Sequence, residues 1–197
     1  MPQSNKIKYG LSRLAYCLAT IGTDNSATYS TSVVSIPGAR NLSLSQNGEL
    51  EKWYADNVAY YIINNNQGYD GDLEVAVIPE SFKTDCLKMV TDADGVLYED
   101  QGAEPAHFAL LYQFEGDQKA TRHVLFNCVA GRPEISGATA EESIEPQTET
   151  IPIQAASIYV PSLSKNLVKG STNPDSNSVA YNNWFNAVHV YTATTST

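Results

Sequence analysis

Basic residues are scarce in this chain: 12 lysines and arginines stand against 22 aspartates and glutamates in 197 residues, for a formal charge of −10 and a pI near 4.6. Proteins that grip nucleic acid do so by neutralising phosphates with cations, so that class is excluded, whereas repulsion of nucleic acid is not. Cysteines number three, Cys17, Cys86 and Cys128, far apart and without C-x-x-C spacing. That excludes a disulfide framework and a zinc site, and predicts buried free thiols in a reducing cytosol. No run of about 18 apolar residues occurs, and "MPQSNKIKYG" has no apolar core of a signal peptide, so the chain is expected neither to be exported that way nor to span a membrane.

Motifs of chemistry are missing as well. There is no G-x-S-x-G elbow, no phosphate-binding G-x-x-x-x-G-K-[ST] loop and no G-x-G-x-x-G. His107, His123 and His189 are scattered, without the i, i+4 pairing that a helix-borne metal site needs. "TDADGVLYED" resembles a calcium loop at Asp92, Asp94 and Gly95, but the first ligand position would fall on Val90 and the bidentate glutamate position on Gln101. It reads as an acidic turn. A glycosidase needs one raised and one ionised carboxyl facing each other in a cleft, and the acids here come in rows. No enzyme and no cofactor are expected.

What is present is strand material. Val, Ile, Thr and Tyr alternate with polar residues between turn signals, which predicts a mainly β chain: a β-sandwich or partial barrel over residues 1–158. The expected strands are Lys6–Leu18, Thr31–Leu44, Tyr69–Ile78, His107–Phe114, Thr121–Ala130 and Ser143–Ser157. One flanking helix is expected at about 79–90, where Pro79 suits a first turn, Glu80 suits the positive end of the dipole, and Phe82, Cys86, Leu87 and Val90 fall at helical spacing. A flexible Ser/Asn-rich linker is expected over 159–178, and a short helix and tail over 179–197, with Tyr181, Trp184, Phe185 and Val188 as its apolar stripe.

Two features ask for a function. Residues 70–149 hold 17 of the 22 acids and five of the 12 basic residues, a net of −12 against +2 for the flanks. Within them Asp70, Asp72 and Glu74 alternate along one strand, as do Glu145 and Glu149, so each set shares a strand face. In addition the segment from about 45 to 66 is too aromatic for a solvated loop. It reads as a protruding hairpin or long loop whose Trp53, Tyr54, Tyr60, Tyr61, Ile62 and Ile63 need a second subunit to cover them. Trp184 and Phe185 join these as contact candidates.

The blocks "IKYGLSRLAYCLAT", "SIPGARNLSLSQNGE", "WYADNVAYY", "NQGYDGDLEVAVIPESFKTD", "HFALLYQFEGDQKATRHVLFNCVAGRP", "EESIEPQTETIPIQA" and "YNNWFNAV" together resemble the major tail proteins of long, non-contractile-tailed bacteriophages of Gram-positive hosts. The likeness runs in chain order from Lys6 to Val188. It implies a tail-tube-type fold whose inner β-barrel is completed when subunits form hexameric rings, and rings that stack into a tube for DNA ejection. The implied partners are other copies of the chain, a tape measure protein, a tail terminator and baseplate or distal tail proteins, with DNA passing unbound. The implied place is the virion tail, assembled in the bacterial cytoplasm. In that setting Asp70, Asp72, Glu74, Glu145 and Glu149 would face the lumen. The alternatives are a carbohydrate- or receptor-binding β-sandwich, suggested by the exposed aromatics, and another tail component such as a terminator.

Overall fold

The computed structural model describes residues 9–192 except 49, 56, 65, 117–118, 138 and 140–146, with backbone alone at 50–52, 54–55, 59 and 62–64. The chain opens with β1 (Leu11–Ile21), β2 (Ala27–Tyr29), β3 (Val34–Ser35) and β4 (Ala39–Asn47), then β5 (Leu50–Ala55), β6 (Val58–Asn64) and β7 (Gly68–Val75). Helix α1 (Glu80–Asp85) follows, then β8 (Val90–Thr91), β9 (Leu97–Tyr98), β10 (Phe108–Phe114), β11 (Arg122–Ala130) and β12 (Glu149–Ala156). β13 (Ile158–Val160), β14 (Lys165–Leu167), β15 (Lys169–Thr172) and α2 (Ser178–Asn182) complete it. The fold is mainly β, as its composition predicts.

One antiparallel sheet runs β2-β1-β10-β11-β12-β7-β4, and β11 is the place where it divides. Arg122–Leu125 of β11 pair with β15, while Asn127–Ala130 pair with β12. The sheet therefore folds over itself. Leu14 and Tyr16 of β1, Phe108 and Leu110 of β10 and Leu125 of β11 meet Leu73, Val75, Ile151 and Ile153 of β7 and β12 in the main core. A second cluster lies on the opposite face of β1, β10 and β11, where Cys17, Leu111, Val124 and Phe126 are covered by Ile158, Val160 and Trp184. This explains the sequence pattern. Strands buried on both faces read as unbroken apolar runs, Leu14–Cys17 and Phe108–Leu111 among them, whereas β7 and β12, buried on one face, alternate.

Three expectations are corrected here. The region 159–178 is no flexible linker: it carries β14 and β15, and β15 is a paired member of the main sheet. Ser and Asn residues disguise it, because a four-residue strand needs only backbone pairing. The flanking helix stops at Asp85 rather than 90, where Lys88 turns left-handed (φ 59°) and the amides of Leu87 and Met89 return to the carbonyls of Phe82 and Lys83. β7 ends at Val75 rather than at Ile78, so Val77 lies beyond the strand and is exposed, and Ile78 is the next residue to enter the core. The first part of the expected 143–157 strand, residues 143–146, lies outside the described residues.

α1 is only six residues long and needs tertiary support. Phe82 provides it, fully buried and edge-on to Tyr16 (5.2 Å) and Phe108 (5.5 Å). Buried Tyr16 in turn donates its hydroxyl to Asp85 Oδ2 at 2.8 Å, tying the helix end to β1.

Candidate functional site

Register fixes what shares a face with the acids of β7. Asp70, Asp72 and Glu74 lie opposite Gln154, Pro152 and Thr150 of β12 on one side, and Ser45, Ser43 and Asn41 of β4 on the other. All nine point away from the core, since the intervening Leu73, Ile151 and Ile153 are buried. The outer face is thus a column of three carboxylates between two uncharged rows. Cross-strand neighbours within about 5 Å add no second charge to either side.

Each acid has its own surroundings. Glu74 pairs with Arg40 at 2.9 Å and accepts from Thr148 Oγ1 at 2.5 Å. Asp70 accepts from Asn47 Nδ2 at 2.6 Å, and Asp72 is exposed. Arg40 reaches Glu74 from the bulge between Ala39 and Asn41. The column keeps a net negative charge, three carboxylates to one guanidinium. Two glycines hold its strand close to its neighbours: a Cβ on Gly71 would lie 1.9 Å from the Ser43 carbonyl oxygen, and Gly68 combines φ +108° with the Ala155 oxygen at the same distance.

Glu149 stands elsewhere. It lies opposite Val75 and has the parity of buried Ile151, so it is on the far side of the sheet from Glu74. There its carboxylate accepts the Ile78 amide at 2.5 Å, at the entry to α1. Expecting it with the β7 acids failed because spacing within one strand shows which residues share a face, and only pairing shows which face that is. Glu145 lies outside the described residues.

The aromatic segment forms the β5–β6 hairpin, whose strands pair with each other and, among the described residues, with no strand of the main sheet. Trp53, Tyr60 and Tyr61 are 61%, 73% and 62% exposed, and Trp53 meets Tyr60 edge-on at 6.2 Å. Of Tyr54, Ile62 and Ile63 only the backbone is described, with Ile62 opposite Lys52 and Ile63 opposite Glu51. A lone two-stranded hairpin is marginal in water without something packed on it.

Trp184 and Phe185 have partners in their own chain. Trp184 is buried in the second cluster and donates its indole N–H to the His123 carbonyl at 3.3 Å. Phe185 lies under the Arg13 guanidinium at 4.7 Å. Sequence reading also missed Arg122, which is nearly buried, stacks on the Tyr181 ring at 3.8 Å and donates to the Tyr181 carbonyl, fastening α2 to β11. Its position at the start of an apolar strand was the available signal.

The thiols of Cys17, Cys86 and Cys128 are buried, and desolvation raises the pKa of each, that of Cys128 to about 12. Among the described residues no group of three or more His, Cys, Asp or Glu side chains could hold a metal ion, and no helix is long and apolar enough to cross a membrane.

No family model and no curated protein matches the chain. Among the solved structures that resemble it are a chain of the anti-feeding prophage baseplate, determined with six-fold symmetry (11% identity, 87% of this chain and 97% of that chain, TM-score 0.49), and the cap that terminates the tube of the same prophage (11%, 87% and 96%, TM-score 0.42). With those scores and identities, neither likeness bears on function.

Proposed function

We propose that this chain is a structural phage tail protein, the tail tube subunit, which assembles into stacked hexameric rings with an acidic lumen that passes DNA without holding it. One observation carries the reading: a sheet face whose only charged column is acidic ends at β4, a nine-residue strand with a strand neighbour on one side alone among the described residues. A free edge of that length is a template for aggregation unless another chain pairs with it. Closing the sheet across subunits removes the edge and sets Asp70, Asp72 and Glu74 along a continuous wall.

The wall works by repulsion. Duplex DNA carries roughly one charge per 1.7 Å, so lysines there would retain it. Carboxylates oppose it across about 8 to 10 Å at physiological ionic strength. Stacked rings make a repeating heterologous interface, and the β5–β6 hairpin, with its exposed rings, is the element assigned to contacts between subunits. A tape measure protein, a terminator and baseplate or distal tail proteins are the further partners this role requires.

Negative-stain electron microscopy of the purified chain at rising concentration tests the reading. Rings and tubes are expected. A chain that stays monomeric under all conditions overturns it, and single rings that never stack point instead to a terminator.

A further inference from the structure

The main core is open at one end. Leu42 and Leu44 of β4 and Tyr112, Phe114 and His123 of β10 and β11 are half-buried and line a cleft of about 400 Å³ bordered by β15. Leu42, Leu44 and Tyr112 also pack on the core, so the cleft is a continuation of the core that the described residues do not fill. Its wall is ordered: Tyr112 stacks on the His123 ring (5.1 Å, 19° between planes) and meets Phe114 edge-on at 5.7 Å. Its lining is mixed, with His123, Lys169 and Ser171 beside the apolar groups, which suits rings that carry a hydroxyl or an N–H, and at roughly 150 Å³ per ring the volume admits about two.

We propose that this cleft receives the aromatic rings of the β5–β6 hairpin from a second copy of the chain. The proposal rests on the self-assembly read above and adds the receiving surface to it. Complementarity selects the occupant. Trp53, Tyr60 and Tyr61 are large rings that the subunit leaves exposed, and they do not line its own cleft. Charge agrees: Lys169 at the rim lies over the Tyr69 ring at 5.0 Å with no carboxylate in ion-pair reach among the described residues, while residues 49–64 carry Glu49, Glu51 and Asp56 against Lys52.

Area sets when the contact forms. Aromatic side chains bury roughly 150–250 Å² each, so two docked rings supply about 300–500 Å². A stable interface needs about 800 Å² per partner. The contact therefore forms with the rest of the subunit interface and does not hold two free subunits together.

Cysteine cross-linking tests the pair. In a Tyr60→Cys, Ser171→Cys variant, oxidation of assembled protein is expected to give a ladder of covalent multimers on a non-reducing gel, absent from either single variant; the native thiols are buried. Assembled protein without a ladder overturns the proposal and leaves the tube reading intact. A shifted monomer band also overturns it, because the hairpin would then occupy its own cleft. Failure of the unmodified chain to assemble at any concentration overturns both. Ser171→Trp, which fills the exposed rim, is expected to keep the circular dichroism spectrum and raise the concentration needed for assembly about tenfold or more, the effect of losing an interface anchor. Unchanged assembly by that variant overturns the cleft's role.

Discussion

Replacing Asp70, Asp72 and Glu74 together with lysine turns three carboxylates beside Arg40 into four cations on one sheet face. Alternate strand residues lie about 6.7 Å apart, so the column is about 13 Å long and faces roughly eight phosphate charges of an aligned duplex. The structural cost is small. The Arg40–Glu74 pair is on the surface, and such pairs contribute about 0–1 kcal/mol. Counting also the Asn47–Asp70 and Thr148–Glu74 hydrogen bonds, the variant should keep its fold and lose no more than about 3 kcal/mol of unfolding free energy in urea. Three lysines neutralising three phosphates give a slope of log affinity on log salt of about −2.7 per engaged subunit, or roughly a 40-fold loss between 50 and 200 mM salt. Fluorescence anisotropy of labelled duplex DNA reads this directly. Variant protein should bind at about 50 mM salt and release at about 200 mM, and the unmodified chain should not bind at either. DNA binding by the unmodified chain, or no binding by the variant at the lower salt, would refute the repulsive-wall argument.

Three further predictions concern the subunit itself. Phe82→Ala removes the fully buried ring that docks α1 between Tyr16 and Phe108, and should cost about 3–5 kcal/mol in urea unfolding, whereas a loss below about 1 kcal/mol would mean that the helix is held elsewhere. Native Cys17, Cys86 and Cys128 should resist alkylation at mildly alkaline pH and react once unfolded, because burial keeps the thiols neutral. The same burial fixes the pH dependence. These thiols, and Tyr112 at about 12, have folded-state pKa values above their unfolded ones. Their contribution to stability is whole below the unfolded thiol value of 9.0 and declines as pH rises above it, as a pH series of urea midpoints would show.

Much of this was written in local pattern. Alternating strand-forming residues between turn signals located β7, β10 and β11, and the density of rings in residues 45–66 marked a hairpin or long loop with uncovered side chains, because strand pleating and burial act residue by residue. The acids of β7 were legible as one column for the same reason. Glu149 was not legible, since its side of the sheet depends on pairing with Val75, distant in the chain. β15 was hidden because backbone hydrogen bonds carry it, and Ser and Gly leave little trace of those. Trp184 looked available from its neighbours alone and is buried by residues from distant strands. The sequence by itself determined the β character, the acidic column and the aromatic hairpin, which follow from side-chain chemistry at short range. Only the tertiary structure decided which face each acid takes, where the sheet divides and where the core is left open, because those depend on register between segments far apart in the chain.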